Sequence, residues 1–197
     1  MSGTVPDTFY RKFVVSDAQA IYIDNTKQAL QYLQRAWFFA CLMAAIVALF
    51  SYRLVEQRTN ETVGDQELWS IPLLGVHTNA GMVASIAYML SAIACAWAAN
   101  CAWTARQNLR KLRDCEALAA SHAIAIYPSL LVFPHWWLRL LAGAAPWLLI
   151  FFALSSIVHP DADWFSSTLI PLLLSLPHAS LIWQFRHSLT HVLTTSK

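Results

Sequence analysis

Seven histidines are the side chains in this sequence best suited to hold a cofactor. A b-type haem in a membrane takes two axial imidazoles from facing helices. His178 is the one histidine well inside an apolar stretch, while His77, His135 and His159 stand at the ends of such stretches. A His77–His178 or His159–His178 pair would supply haem ligation, yet no helical spacing motif links either pair. His187 and His191 are four apart, which places two imidazoles on one helix face, but no third metal ligand follows nearby. The four cysteines, Cys41, Cys95, Cys101 and Cys115, contain no C-x-x-C pair, so neither a zinc–thiolate site nor a thiol relay has its minimal spacing. Serines are plentiful, but there is no G-x-S-x-G elbow and no Gly-rich phosphate loop. The expectation is a non-enzymatic protein with no cofactor and no metal.

The elements that would position these residues are set by composition. Of the 197 residues 57% are hydrophobic and 12% charged, mean hydropathy is +0.46 and there are nine Trp. These values depart from those of soluble domains and point to an all-α, polytopic integral membrane protein. Residues 81–103, GMVASIAYMLSAIACAWAANCAW, form the central uncharged run. At about 1.5 Å per residue it is long enough to cross about 30 Å of hydrocarbon. Ser91, Cys95 and Ala99 recur at every fourth position, as do Ala94, Ala98 and Ala102. Small residues in such rows let helices approach closely in lipid, which predicts helix packing and a homo-oligomer built on these faces.

In chain order, residues 1–35 are expected to be a cytoplasmic segment without a signal peptide. It opens on FYRKF, suited to a membrane surface, and continues as an amphipathic helix that Ser16-x-x-Gln19 would cap, with Ile23, Leu30, Leu33 and Trp37 on one face. The first span is residues 36–53, entered through Arg35 and Trp37. Residues 54–79 form an exoplasmic loop that contains the Asn60 sequon and the apolar patch WSIPLLGV. The second span, 80–103, continues as a cytoplasmic helical extension over 104–122, in which Arg106, Arg110 and Arg113 make a basic stripe and Arg110 is spaced to pair with Asp114. An interfacial or re-entrant segment broken by Pro128 and Pro134 completes residues 104–135. The third span, 136–158, holds Arg139 near its start and a kink at Pro146. A turn at 159–164 leads to the fourth span, 165–185, interrupted by Pro171 and Pro177 beside His178, and 186–197 is a cytoplasmic tail.

Of the 13 Lys and Arg, all but Arg53 and Arg58 fall on one side of this arrangement. The positive-inside rule therefore places both termini in the cytoplasm of a bacterial inner (plasma) membrane. Within the spans only Asn100, Arg139 and His178 are strongly polar, which argues against an ion-coupled transporter. The function these features predict is that of a membrane subunit that anchors, senses for or regulates a cytosolic or membrane protein partner in a multicomponent system of the secretion, conjugation or anti-phage defence kind. The basic stripe would meet either lipid phosphates or that partner, with no direct nucleic-acid binding. The alternatives are a redox subunit with haem b on His178, and a gated pore in which Pro171, Pro177 and His178 mark the moving part.

Overall fold

Between Pro6 and Gly64 the sequence contains neither proline nor glycine, and the computed structural model shows one helix, α1, running unbroken from Asp7 to Thr59. The structure describes residues 7–59, 69–71, 76–78, 80–114, 130–132, 135–157 and 164–186. Ser16 lies inside α1 instead of opening it, so the amphipathic segment and the first span are one rod of 53 residues, about 80 Å long. A hairpin of β1 (Trp69–Ile71) and β2 (Val76–Thr78) follows, pairing Trp69 with Thr78 and Ile71 with Val76. It folds the WSIPLLGV patch back on itself and is the one departure from helix beyond short turns among the described residues. Next come α2 (Ala80–Asp114), a 3-10 turn (Leu130–Val132), α3 (Trp136–Ile157) and α4 (Trp164–Phe185). Four helices are thus long and apolar enough to cross a membrane. The expectations for Asn60, Pro128, Pro134, Cys115, the turn at 159–163 and the tail with His187 and His191 lie outside the described residues.

The helices form a ring in which α1 packs on α2 and α3, and α4 packs on α2 and α3. Ser91 Oγ donates to the Ala40 carbonyl at 3.0 Å, while Lys111 Nζ lies 5.5 Å from the centre of the Tyr22 ring. α1 and α2 are therefore antiparallel along their length. Their seam is heptad-spaced: Leu30, Leu33, Trp37, Ala40, Ala44 and Val47 on α1 alternate steps of three and four, as do Ser91, Cys95, Ala98, Ala102, Ala105, Leu109 and Leu112 on α2. All but the half-buried Trp37 are buried, and a 3.5-residue period is that of helices winding around each other. α3 and α4, at 22 residues each, are much shorter than α1 and α2. Beside the ends of α3 and α4 the α1–α2 pair continues as a stalk, closed by Leu30 and Leu33 against Leu109 and Leu112, with Leu131 of the 3-10 turn buried in the same cluster.

The short helices carry the prolines, and each proline leaves the carbonyl four residues earlier without its helical donor. For Pro146 that carbonyl belongs to Ala142, and Trp37 Nε1 donates to it at 2.7 Å from α1. Trp37, expected at the membrane interface, is instead turned inward to close this gap. Where α3 meets α4, Gly143 is required: a Cβ there would stand 2.9 Å from Phe185 Cβ and 3.2 Å from Ile182 Cα.

Losing the Trp37 donor should therefore matter only while residue 146 cannot donate. Trp37→Phe is expected to lower stability by about 1–3 kcal/mol, the range for a buried polar group left unpaired. In a Pro146→Ala background, where residue 146 supplies its own N–H, the same change should cost clearly less. Denaturant unfolding in micelles, run as a double-mutant cycle, checks this, and strict additivity would disprove the link.

Candidate functional site

α4 presents a buried stripe of Pro171, Ser175, His178, Leu181 and Phe185 to the bundle, spaced four, three, three and four as one helix face requires. Of the five, His178 is the side chain with chemistry to offer. It is fully buried, and its ring centre lies 5.3 Å from that of Tyr88 on α2 at a 55° tilt. Neither ring nitrogen makes a hydrogen bond of standard geometry. What polar contact the ring has comes from the backbone of Ser175, one turn earlier, whose own hydroxyl donates to the Leu172 carbonyl at 2.9 Å. Tyr88 is tied to the same helix, its hydroxyl donating to the Leu174 carbonyl. That acceptor is adjacent to Leu173, whose carbonyl loses its helical donor to Pro177. The structure thus brings Pro171, Pro177 and His178 onto one helix as expected, with Pro171 buried and Pro177 facing outward, and adds Tyr88, which the sequence alone did not single out.

Of the other histidines among the described residues, neither is placed beside His178. His135 is exposed and stacks on Trp137 with ring centres 6.1 Å apart, and His77 sits in the hairpin opposite Ser70. The aromatic ring facing His178 is a tyrosine, and no group of three His, Cys, Asp or Glu that could hold a metal ion occurs among the described residues. Cys95 and Cys101 are buried and Cys41 half-buried, all as free thiols.

Of the small-residue rows, Ala94, Ala98 and Ala102 are all buried. Ser91 and Cys95 are fully buried against α1 and Ala99 only half-buried. Each four-residue step overshoots a full helical turn by about 40°, so the true seam crosses from one row to the other. Within the chain these rows pack against α1.

The basic stripe divides as well. Arg106 is half-buried and donates from Nη1 to Gln184 Oε1 near the end of α4, tying the root of the stalk to the bundle. Arg113 lies 3.5 Å from Asp114, which takes the carboxylate expected to pair with Arg110. Arg110 and Lys111 are exposed. Asn100, flagged as a polar residue of the second span, is also exposed, while Arg139 is half-buried. Comparison with known protein families, with curated proteins and with solved structures found no match.

A fully buried imidazole without a well-formed hydrogen bond weakens the bundle that holds it. His178→Leu is therefore expected to leave the thermal midpoint unchanged or raise it, measured by circular dichroism in micelles. A fall of several degrees would show that the ring has a partner on which the fold depends.

Proposed function

We propose that this chain is a multi-pass protein of a bacterial inner membrane, with both termini in the cytoplasm, acting as a non-enzymatic subunit that anchors or regulates a cytosolic protein on its stalk. The observation that carries this reading is the continuity of α1 and α2 from the apolar bundle past the ends of the 22-residue α3 and α4. Large apolar residues stand exposed around the bundle, among them Phe38, Leu49, Ile86, Ile93, Phe152 and Leu173. In water such a surface would aggregate, whereas against lipid it needs no cover. Along the stalk the apolar faces of the two helices are used on each other. Outward stand mostly polar side chains, Asp24, Lys27, Gln28 and Gln31 on α1 and Arg110 and Lys111 on α2, with Ile21 among them. A solvated, rigid, mixed-charge projection suits recognition of a folded partner. Self-association belongs to the proposal only through outer faces, since the small-residue seam is internal.

A second reading, a gate in α4, is favoured by the buried His178 beside Pro177, because a proline-interrupted span is where helix geometry changes most readily. Planar-bilayer recordings with the partner present decide it: a conductance altered by His178→Leu supports a gate, and silence removes it.

The docking proposal is tested on two arginines of the stripe, the exposed Arg110 and the half-buried Arg113. Arg110→Lys combined with Arg113→Lys keeps the charge but loses planar, two-pronged carboxylate recognition. Membrane insertion should be unchanged, and recovery of the partner by pull-down from membranes should fall severalfold. Unchanged recovery would remove the stripe from the docking surface.

A further inference from the structure

Between α1 and α2, on the outer surface of the bundle, runs an open groove of about 350 Å³. Tyr32, Arg35 and Phe39 line it from α1, and Leu90, Ile93 and Trp97 from α2. All six are exposed; Ile93 and Trp97 keep more than half of their surface open. Its lining is almost wholly apolar, and Arg35 and Tyr32 are the residues along it that carry a polar tip.

The height of Arg35 in the bundle follows from contacts already described. Trp37, two residues from Arg35, reaches Ala142 in the first turns of α3, so Arg35 lies near the level at which α3 begins. At that level Trp136 and Trp137 of α3 and Trp183 of α4 are all exposed, a belt of amphipathic rings of the kind found at headgroup depth. Other cations near this belt already have company within the chain. Arg186 lies 5.8 Å from the centre of the Trp183 ring and Arg106 is bonded to Gln184. Arg35 is exposed and has no hydrogen bond or ion pair among the described residues, so its guanidinium is available to a ligand from outside the chain.

We propose that this groove binds one anionic phospholipid, its phosphate held by Arg35 and an acyl chain lying along Phe39, Leu90 and Ile93. A guanidinium meets a phosphate through two parallel N–H donors, and the apolar channel leading away from it suits a hydrocarbon tail. The inference rests on the reading of the four helices as membrane spans.

The test uses full-length protein purified in a mild non-ionic detergent and titrated with phosphatidylglycerol or phosphatidylcholine of identical chains, with retained lipid read by native mass spectrometry. Wild type is expected to retain the anionic lipid about fivefold better, the weight of one surface cation toward anionic lipid. Arg35→Gln should abolish the preference, Arg35→Lys should keep part of it, and Arg110→Gln, out on the stalk, should leave it intact. Equal retention of the two lipids by wild type overturns the proposal, as does an undiminished preference in folded Arg35→Gln. Should Arg35→Gln fail to fold, Arg35→Lys and the wild-type comparison decide. Phosphatidylglycerol with a photoactivatable chain should label residues 36–39 and 90–97. Labelling spread equally over Phe152 and Leu173 would mean annular lipid only and also overturns it. Release of the protein from membranes by alkaline carbonate would instead defeat the membrane reading itself, so the two failures are distinguishable.

Discussion

A backbone carbonyl in an apolar bundle must find a donor within the protein, since no solvent is there to supply one. Pro146 creates such a need in α3, and the Trp37 indole meets it from α1 at 2.7 Å. That single bond fixes the height of α3 against α1, and the height of α3 in turn sets where Gly143 meets α4. With Gly143 in contact with Phe185 and Leu181, the stripe that carries His178 has its depth assigned. The position of the polar pair His178 and Tyr88 thus follows from a vacancy in the hydrogen bonding of a helix neither belongs to.

The α1–α2 seam changes composition along its length, and the change has a physical cause. In the apolar part it is built of Ala40, Ala44, Ser91, Cys95 and Ala98, small enough for Ser91 to reach the Ala40 backbone directly. Apolar bulk gains nothing there by leaving lipid for protein, and close approach is what holds the helices. In the stalk the seam passes to Leu30, Leu33, Leu109 and Leu112, the bulk that suits a seam held by removal of apolar area from water. One continuous heptad pattern thus passes from small residues to large ones along its length.

Much of the architecture was legible in the sequence. Uncharged runs long enough to span gave the helices, and the extension of α2 beyond its apolar part followed from stripes of Leu and Arg. The union of the amphipathic segment with the first span was harder, because Ser16-x-x-Gln19 has the form of a cap while the absence of proline and glycine from 7 to 59 is a weaker and negative signal. The i, i+4 rows of small residues were real but misaligned: Ala99 drifts off the seam that Ser91 and Cys95 occupy. For the candidate site, His178 and its prolines stood out by their rarity within a span. Tyr88 and Gln184 did not, since a tyrosine or glutamine in α2 or α4 reveals its partner only when two distant helices are brought side by side. The Trp37–Ala142 bond had a usable clue in Pro146, whose missing donor names the carbonyl four residues earlier but not the side chain that reaches it.

α1 and α2 contain no proline and, past Gly81, no glycine, whereas α3 and α4 hold Pro146, Pro171 and Pro177 between them. The molecule is therefore half girder and half spring. A load applied to the tip of the stalk travels along α1 to the hairpin end without an intervening joint, and the strain it generates is relieved by bending in α3 and α4. His178, seated on the proline-bearing side with its ring against Tyr88 of the unbroken side, lies on the line where the two halves meet.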